Sequence, residues 1–99
     1  MVFFSIKIYI MLKYLVEFIG TFVFLSVILV QGQALPIAIA LAAVIFFGGA
    51  ISGGHFNPAV SFMMNLNNLI STSDMAIYII AQLAGAAMAL SFYNASKKI

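Results

Sequence analysis

The sequence predicts an all-α membrane protein with three transmembrane helices and one short re-entrant half-helix. Two observations predict it. Of the 99 residues, 66% are hydrophobic and only 6% carry a charge, whereas about a quarter of the residues of an ordinary soluble domain are charged. In addition, one turn-rich stretch, ISGGHFNPAVS at 51–61, interrupts an otherwise apolar chain. A soluble fold of this composition could not cover its surface with polar groups, so we expect a multi-pass integral membrane protein.

Charge and cysteine content exclude several classes of function. The net charge of +2 reflects four lysines near the chain ends, Lys7, Lys13, Lys97 and Lys98, against two acidic residues. Lysines beside apolar spans suit lipid headgroups and do not form the basic patch of a nucleic-acid-binding protein. With no cysteine, the chain has no disulfide framework, thiol nucleophile or cysteine-based metal site. No catalytic pair or cofactor motif stands out, so we expect no enzyme activity, cofactor or metal.

Three apolar runs, at 12–30, 34–50 and 75–92, predict the three spans. Each is close to the roughly 20 residues that cross about 30 Å of hydrocarbon, and the second is at the short limit. Asp74, directly before the third run, is the predicted N-cap of its helix.

The first eleven residues, 1–11, are apolar as well. A helix from residue 1 to residue 30 would be about 45 Å long, which is too long for one crossing. We therefore expect 1–11 to lie in or beyond the headgroup layer, with the side chain of Lys7 reaching towards water. The run that follows carries Glu17 and has no convincing cleavage site, which favours an anchored span over a signal peptide.

The segment 52–66, between the second and third spans, is predicted to enter and leave the membrane on one side. Gly53 and Gly54 permit an extended path, and the residue before Pro58 is driven out of the helical region. Pro58 suits the first position of a helix, and Asn57 suits its N-cap. The apolar helix that follows spans about 12 Å, less than half a bilayer.

This arrangement predicts a pore for small neutral molecules that form hydrogen bonds. The half-helix directs its free N–H groups, equivalent to roughly half a positive charge, towards the bilayer midplane, which repels cations. The amide of Asn57 adds N–H donors there. Backbone carbonyls of the extended stretch would accept from a passing solute. The expected pore centre is Asn57, Pro58 and Ala59, and the expected wall is the backbone of Gly53, Gly54, His55 and Phe56.

The nonapeptide SGGHFNPAV resembles the first NPA loop of the aquaporin, or major intrinsic protein, family, whose members conduct water, glycerol and similar neutral solutes. Two flanking motifs fall where that family places them: 17–21 is similar to its E-x-x-G-T, and 81–86 to its A-Q-x-x-G-A. The resemblance covers nearly all of the chain after residue 12. It implies that 1–99 is a single half repeat, forming half of an aquaporin-like right-handed bundle.

The chain departs from the family pattern in three ways. Family members carry two inverted repeats with two NPA loops, whereas this sequence carries one. The second repeat normally supplies an arginine after its NPA; this sequence has no arginine, and Val60 follows its only NPA. The aromatic filter position of the second span falls on Ile37 by an ungapped count. The resemblance therefore implies Ile37 as the filter candidate and a loose selectivity.

Three polar residues are expected to support the loop. A buried acid in a span can relay protons, but Glu17 stands alone, and the family uses this position to anchor the loop. Unpaired at the membrane centre it would cost about 2.5–3.5 kcal/mol, so it must find donors. Gln82 is expected to join a helix to the loop. His55 has no nearby carboxylate or second histidine, which favours a structural histidine bonded to the loop backbone over a base or metal ligand.

A single copy cannot enclose a pore, because its re-entrant backbone would face lipid on one side. We therefore expect a channel completed by a second, inverted half, in a homo-oligomer that is an inverted dimer or larger. The alternative is a non-conducting truncated fragment or modulator that assembles with a full-length channel. The loop argues against a third reading, an unrelated structural or permeabilising membrane peptide. The expected partners are the lipid bilayer and small neutral solutes, and no nucleic acid.

Overall fold

Four helices make up the described part of the protein. The computed structural model describes residues 2–98, with side chains from Ser5 onwards. The helices are α1 (Val2–Gln31), α2 (Ala34–Ser52), α3 (Pro58–Leu66) and α4 (Thr72–Lys97), and the described chain contains no strand. The predicted all-α architecture, with three long helices and one short one, is confirmed.

The three long helices are long and apolar enough to cross a membrane. The candidate spans are Ser5–Gln31, Ala34–Ser52 and Thr72–Lys97, and they contain 18-residue stretches with mean hydropathies of 2.0, 2.4 and 1.8. Their outer surfaces are strongly apolar; Phe46 and Phe47, for example, are 81% and 78% exposed. Such surfaces require a lipid environment, and the chain is a multi-pass integral membrane protein.

Helix α1 runs without interruption through the segment that was expected to be interfacial. It contains 30 residues and is therefore about 45 Å long. No glycine or proline occurs between Val2 and Ile19 to break it. Residues 2–11 thus continue the first span as helix, and Met1 lies outside the described residues. The location of residues 1–11 in the headgroup layer stays a prediction.

Helix α2 ends at a glycine that adopts a left-handed conformation. It begins at Ala34, where the second predicted span also begins, and continues two residues past residue 50, where that span ends. Gly53 has φ of +92°, and its N–H donates to the carbonyl of Gly49 over 2.8 Å. This positive φ suits a glycine at a helix end, and it starts the re-entrant loop where α2 stops.

The prediction that Asp74 caps the last helix is wrong. Helix α4 begins at Thr72, and Ser71 is its N-cap, with the hydroxyl accepting from the N–H of Asp74 over 3.0 Å. The carboxylate of Asp74 instead pairs with Lys13 Nζ at 2.8 Å and accepts from the hydroxyl of Tyr14 at 2.6 Å. Because a serine three residues earlier caps the helix, the carboxylate of Asp74 is free for these two donors on α1. Its negative charge in the first turn also interacts favourably with the helix dipole.

Helices α1 and α4 run parallel and pack closely. Lys13 meets Asp74 near one end, and the ring of Phe22 meets that of Phe92 near the other. A Cβ on Gly85 would lie 2.7 Å from the carbonyl oxygen of Phe18. The absence of a side chain at Gly85 therefore sets how closely α1 and α4 approach.

The centre of the bundle is polar, in contrast to its outer surface. Six polar residues are at most 6% exposed and come from all three spans, the loop and the half-helix: Glu17, Thr21, Ser52, His55, Ser61 and Gln82. Buried polar groups are stable only when hydrogen-bonded. Most of these groups bond to one another around the loop.

Candidate functional site

The re-entrant loop, residues 53–57, follows an unusual backbone path. Gly53 and Gly54 have φ of +92° and +67°, and Phe56 has φ of +53°. Positive φ is uncommon for a residue with a bulky side chain and costs of order 1–3 kcal/mol. The surrounding structure must hold Phe56 in this conformation.

The ring of Phe56 anchors the loop against α1 and α2. Phe56 is only 2% exposed. Its ring occupies the space beside two glycines: a Cβ on Gly20 would overlap the ring, and a Cβ on Gly48 would lie 3.3 Å from it. Sequence reasoning assigned only a pore-wall carbonyl to Phe56 and missed this packing role, although two glycines in neighbouring spans are the signal that could have suggested it.

The carboxylate of Glu17 accepts four hydrogen bonds from three parts of the fold. Oε2 accepts from the hydroxyl of Ser52 at 2.7 Å and from the N–H of His55 at 3.0 Å. Oε1 accepts from the N–H of Phe56 at 2.8 Å and from Gln82 Nε2 at 2.9 Å. Glu17 is fully buried, and these donors replace the water that the charged group would otherwise require. The carboxylate therefore joins α1 to α2, to the loop and to α4.

His55 and Gln82 connect the same network to the half-helix. His55 Nδ1 lies 2.8 Å from the hydroxyl oxygen of Ser61, and Gln82 Nε2 donates to that oxygen over 2.9 Å. The ring of His55 was expected to bond the loop backbone, and it bonds the side chain of Ser61 instead, because α3 returns directly past it. In the described part of the chain, no three His, Cys, Asp or Glu residues form a group that could hold a metal ion.

Tyr78 is a buried contributor that sequence reasoning missed. Its hydroxyl donates to the carbonyl of Ser52 over 2.6 Å, and its ring centroid lies 4.9 Å from that of His55. It closes the network where α2 ends. Its position four residues before Gln82 places it on the same face of α4. This spacing is the feature of the sequence from which its role could have been predicted.

The loop directs its N–H groups inwards. The N–H groups of His55 and Phe56 donate to Glu17, and that of Gly54 donates to the hydroxyl of Ser52 over 3.1 Å. By contrast, the carbonyl oxygens of residues 53–56 accept no hydrogen bond from any residue that the structure describes. The N–H groups of residues 54–56 are therefore used by the scaffold, and the carbonyls of residues 53–56 are left available.

Asn57 is the N-cap of α3, as the sequence predicts. Its Oδ1 accepts from the N–H of Ala59 over 2.8 Å, and Pro58 occupies the first helical position. Within residues 2–98, the Nδ2 group of Asn57 donates to no partner, and the turn formed by Asn57, Pro58 and Ala59 is exposed. A free amide donor thus lies at the positive end of the half-helix, next to the free carbonyls.

Ile37 lies apart from this cluster. It is half-buried in the first turn of α2, and the fifteen residues to Ser52 correspond to about 22 Å along the helix. The structure therefore does not bring Ile37 to the loop. Its place in a filter at the far end of a pore stays a prediction.

Comparisons with known proteins agree with this architecture. The family model described as "Major intrinsic protein" matches residues 1–98. The chain is 47% identical to "Glycerol uptake facilitator protein-like 6" of Lactiplantibacillus plantarum over 88 residues, which are 80% of this chain and 41% of that protein. It is 38% identical to "Aquaporin Z" of Brucella melitensis over 69 residues, which are 68% of this chain and 30% of that protein.

A third relative is "Aquaporin-5" of Sus scrofa, 38% identical over 82 residues that cover 71% of this chain and 31% of that protein. No solved structure matches. The chain spans less than half the length of these curated relatives. With the family model matching nearly every residue and the NPA loop folded between the spans, the chain belongs to the major intrinsic protein family.

Proposed function

We propose that the chain forms one half of a transmembrane channel for water and other small neutral solutes such as glycerol. One observation carries the proposal: the N–H groups of residues 54–56 donate to the scaffold, whereas the carbonyls of residues 53–56 and the Nδ2 group of Asn57 have no partner among the described residues. A solute that both donates and accepts hydrogen bonds matches this surface. The names of the relatives, a glycerol uptake facilitator and two aquaporins, support the same class of solute.

The channel requires a second half to cover the loop. Unpartnered carbonyls cost several kcal/mol each in hydrocarbon, so this surface cannot face lipid. The half-helix has nine residues and is about 14 Å long; two such helices meeting end to end would cover about 28 Å, close to the thickness of the hydrocarbon core. We propose a second copy in inverted orientation as the simplest source of that half.

Charge placement is compatible with both orientations. Because α1 and α4 run parallel, Lys7 and Lys13 lie towards one end of the bundle, and Lys97 and Lys98 towards the other. An excess of lysine on one side of the membrane orients membrane proteins. Two lysines at each end of the bundle give little such excess. Accessibility of a C-terminal tag on intact cells and on inverted vesicles tests this. Labelling from both sides supports inverted pairing. Labelling from one side only contradicts an inverted homodimer, because no copy in the opposite orientation is then present.

Stopped-flow light scattering on proteoliposomes tests conduction. Vesicles containing the purified chain should shrink faster than empty vesicles in both an impermeant osmolyte and a glycerol gradient, and they should hold a proton and potassium gradient. Glycerol should pass if water does, because the sequence has no arginine for the filter. Shrinkage at the rate of empty vesicles would contradict the channel and favour the alternative, a non-conducting partner of a full-length channel.

A further inference from the structure

A cleft between α1 and α4 opens near the end of the bundle where α4 finishes. It has a volume of about 160 Å³ and is lined by six residues: Ser26, Val30, Ala89, Phe92, Tyr93 and Ser96. The stretch from Ala89 to Ser96 corresponds to about 10 Å along α4. Ala89 is fully buried, whereas Phe92 is 59% exposed and Val30 is 67% exposed. The cleft therefore opens onto the outer, lipid-facing surface of the bundle.

Lys97 is held at the edge of this cleft. Its Nζ lies 4.5 Å from the centroid of the Tyr93 ring, and Tyr93 is one of the residues that line the cleft. Residues four apart lie on the same face of a helix, so the ring supports the ammonium group through a cation–π contact. Lys98, the C-cap of α4, adds a second positive charge to the same end.

The positive charge at this end has no acidic side chain to pair with. The sequence contains two acidic residues, Glu17 and Asp74. Glu17 accepts hydrogen bonds from four donors around the loop, and Asp74 pairs with Lys13 at the opposite end of α4. The helix dipole contributes about half a negative charge at the end of α4, which the two lysines exceed. An anion from outside the chain would balance this charge.

A membrane lipid supplies both an anion and an apolar chain at this depth. The third candidate span ends at Lys97, which places the lysines at the level of the headgroups. From a phosphate bound there, the ester groups and acyl chains of the lipid run into the hydrocarbon, along the helices. In the cleft, the hydroxyl groups of Ser26 and Tyr93 are donors for ester oxygens, and Val30 and Phe92 offer apolar surface.

We propose that this cleft, with Lys97 and Lys98 beside it, binds one anionic phospholipid. The two ammonium groups hold the headgroup phosphate, and the first part of one acyl chain lies between α1 and α4. The site selects against a zwitterionic lipid, because the positive headgroup of that lipid repels the lysines. None of the six lining residues belongs to the loop or to the Glu17 network, so the site does not depend on conduction.

Tryptophan fluorescence tests the site, because the sequence contains no tryptophan. Phe92→Trp places one in the cleft. The matched control, Leu35→Trp, places one in the first turn of α2, at the same end of the bundle but outside the cleft, where Leu35 is 70% exposed. Each variant is reconstituted in phosphatidylcholine vesicles with a small fraction of phosphatidylglycerol whose acyl chains carry bromine, which quenches tryptophan on contact. The reverse labelling, with bromine on phosphatidylcholine, gives the relative affinity for the two lipids.

At Phe92→Trp we expect phosphatidylglycerol to be preferred by at least about fivefold, the effect of one lysine near a membrane surface. At Leu35→Trp we expect little preference. No preference at Phe92→Trp, or an equal preference at both positions, overturns the site, since an equal preference is the general attraction of a basic surface for anionic lipid.

The lysines are tested in the Phe92→Trp chain. Lys97→Gln combined with Lys98→Gln should abolish the preference for phosphatidylglycerol. Lys7→Gln, which removes a lysine from the opposite end of the bundle, should leave it unchanged. A preference that survives the double substitution contradicts the role of the two lysines.

A second measurement needs no tryptophan variant. The thermal unfolding midpoint of the parent in detergent is followed while phosphatidylglycerol, phosphatidylcholine or inorganic phosphate is added. A ligand of the folded state raises the midpoint, so we expect a saturating rise with phosphatidylglycerol that the double lysine variant lacks. No such rise, or an equal rise with inorganic phosphate, overturns the lipid site. These readouts involve no solute flow, so the site and the proposed channel stand or fall separately.

Discussion

The two sides of the re-entrant loop differ in their hydrogen bonding. On the inner side, the N–H groups of His55 and Phe56 are bound by one carboxylate, and the ring of Phe56 fills the space that Gly20 and Gly48 leave. On the outer side, the carbonyls of residues 53–56 and the Nδ2 group of Asn57 have no partner in the described chain. The comparison shows how a membrane protein can hold an irregular backbone between its spans: one side is fixed by the scaffold, and the unpartnered acceptors are gathered on the other.

Removing the inner acceptor should have the largest effect. Glu17→Leu leaves four donors without an acceptor, two of them backbone N–H groups, at about 1–3 kcal/mol each. We expect little or no assembled protein by size-exclusion chromatography of the detergent-solubilised membrane fraction. Glu17→Gln, the matched control, keeps one acceptor oxygen and should be intermediate. A Leu variant that assembles like the parent would contradict the anchoring role.

Filling the space around Phe56 should have the next largest effect. Gly48→Ala places a Cβ 2.6 Å from Val16 Cγ1 and 3.3 Å from the Phe56 ring, an overpacking that costs about 1–3 kcal/mol. The neighbouring Gly49→Ala meets its nearest atom at 3.8 Å and should be neutral or slightly stabilising, because alanine favours a helix. Thermal unfolding of the two variants measures the contrast. Equal midpoints would contradict the close packing of α1, α2 and the Phe56 ring at Gly48.

The smallest effect should come from the ion pair at the end of the bundle. Lys13 and Asp74 are each 23% exposed at their side chains, and pairs of this kind contribute about 0.2–1 kcal/mol. A double-mutant cycle with Lys13→Met and Asp74→Asn should therefore give a coupling energy within that range. A coupling energy several times larger would show that the ion pair, which lies outside the Glu17 network, contributes substantially to the stability of the fold.

The sequence predicts the loop well because its signals are local. Asn57 before Pro58, and two glycines before them, specify an extended entry and a capped helix within six residues. The all-α class follows from composition and run length in the same way. Helix α2 continues two residues past the apolar run that predicts the second span, because the left-handed glycine that stops the helix is Gly53 and the two earlier glycines at 48 and 49 continue it.

The partners of these residues were less predictable, because they depend on tertiary geometry. The sequence indicates that Glu17 needs donors, but it does not indicate that Ser52, His55, Phe56 and Gln82 provide them. Asp74 was misassigned as a cap because Ser71, three residues earlier, caps the helix instead, and its partner Lys13 lies 61 residues away along the chain. The bond from His55 to Ser61 likewise depends on how α3 folds back.

The most direct test of the outer side replaces its amide donor. Asn57→Ala removes the free Nδ2 group and the helix cap, and the exposed Asn94→Ala on α4 is the matched control. One lost hydrogen bond of about 1 kcal/mol corresponds to about a fivefold fall in osmotic water permeability per protein in proteoliposomes. We predict that fall for Asn57→Ala and parental permeability for Asn94→Ala, at equal protein content. Equal permeability of Asn57→Ala and the parent would contradict the claim that the outer side of the loop contacts the solute.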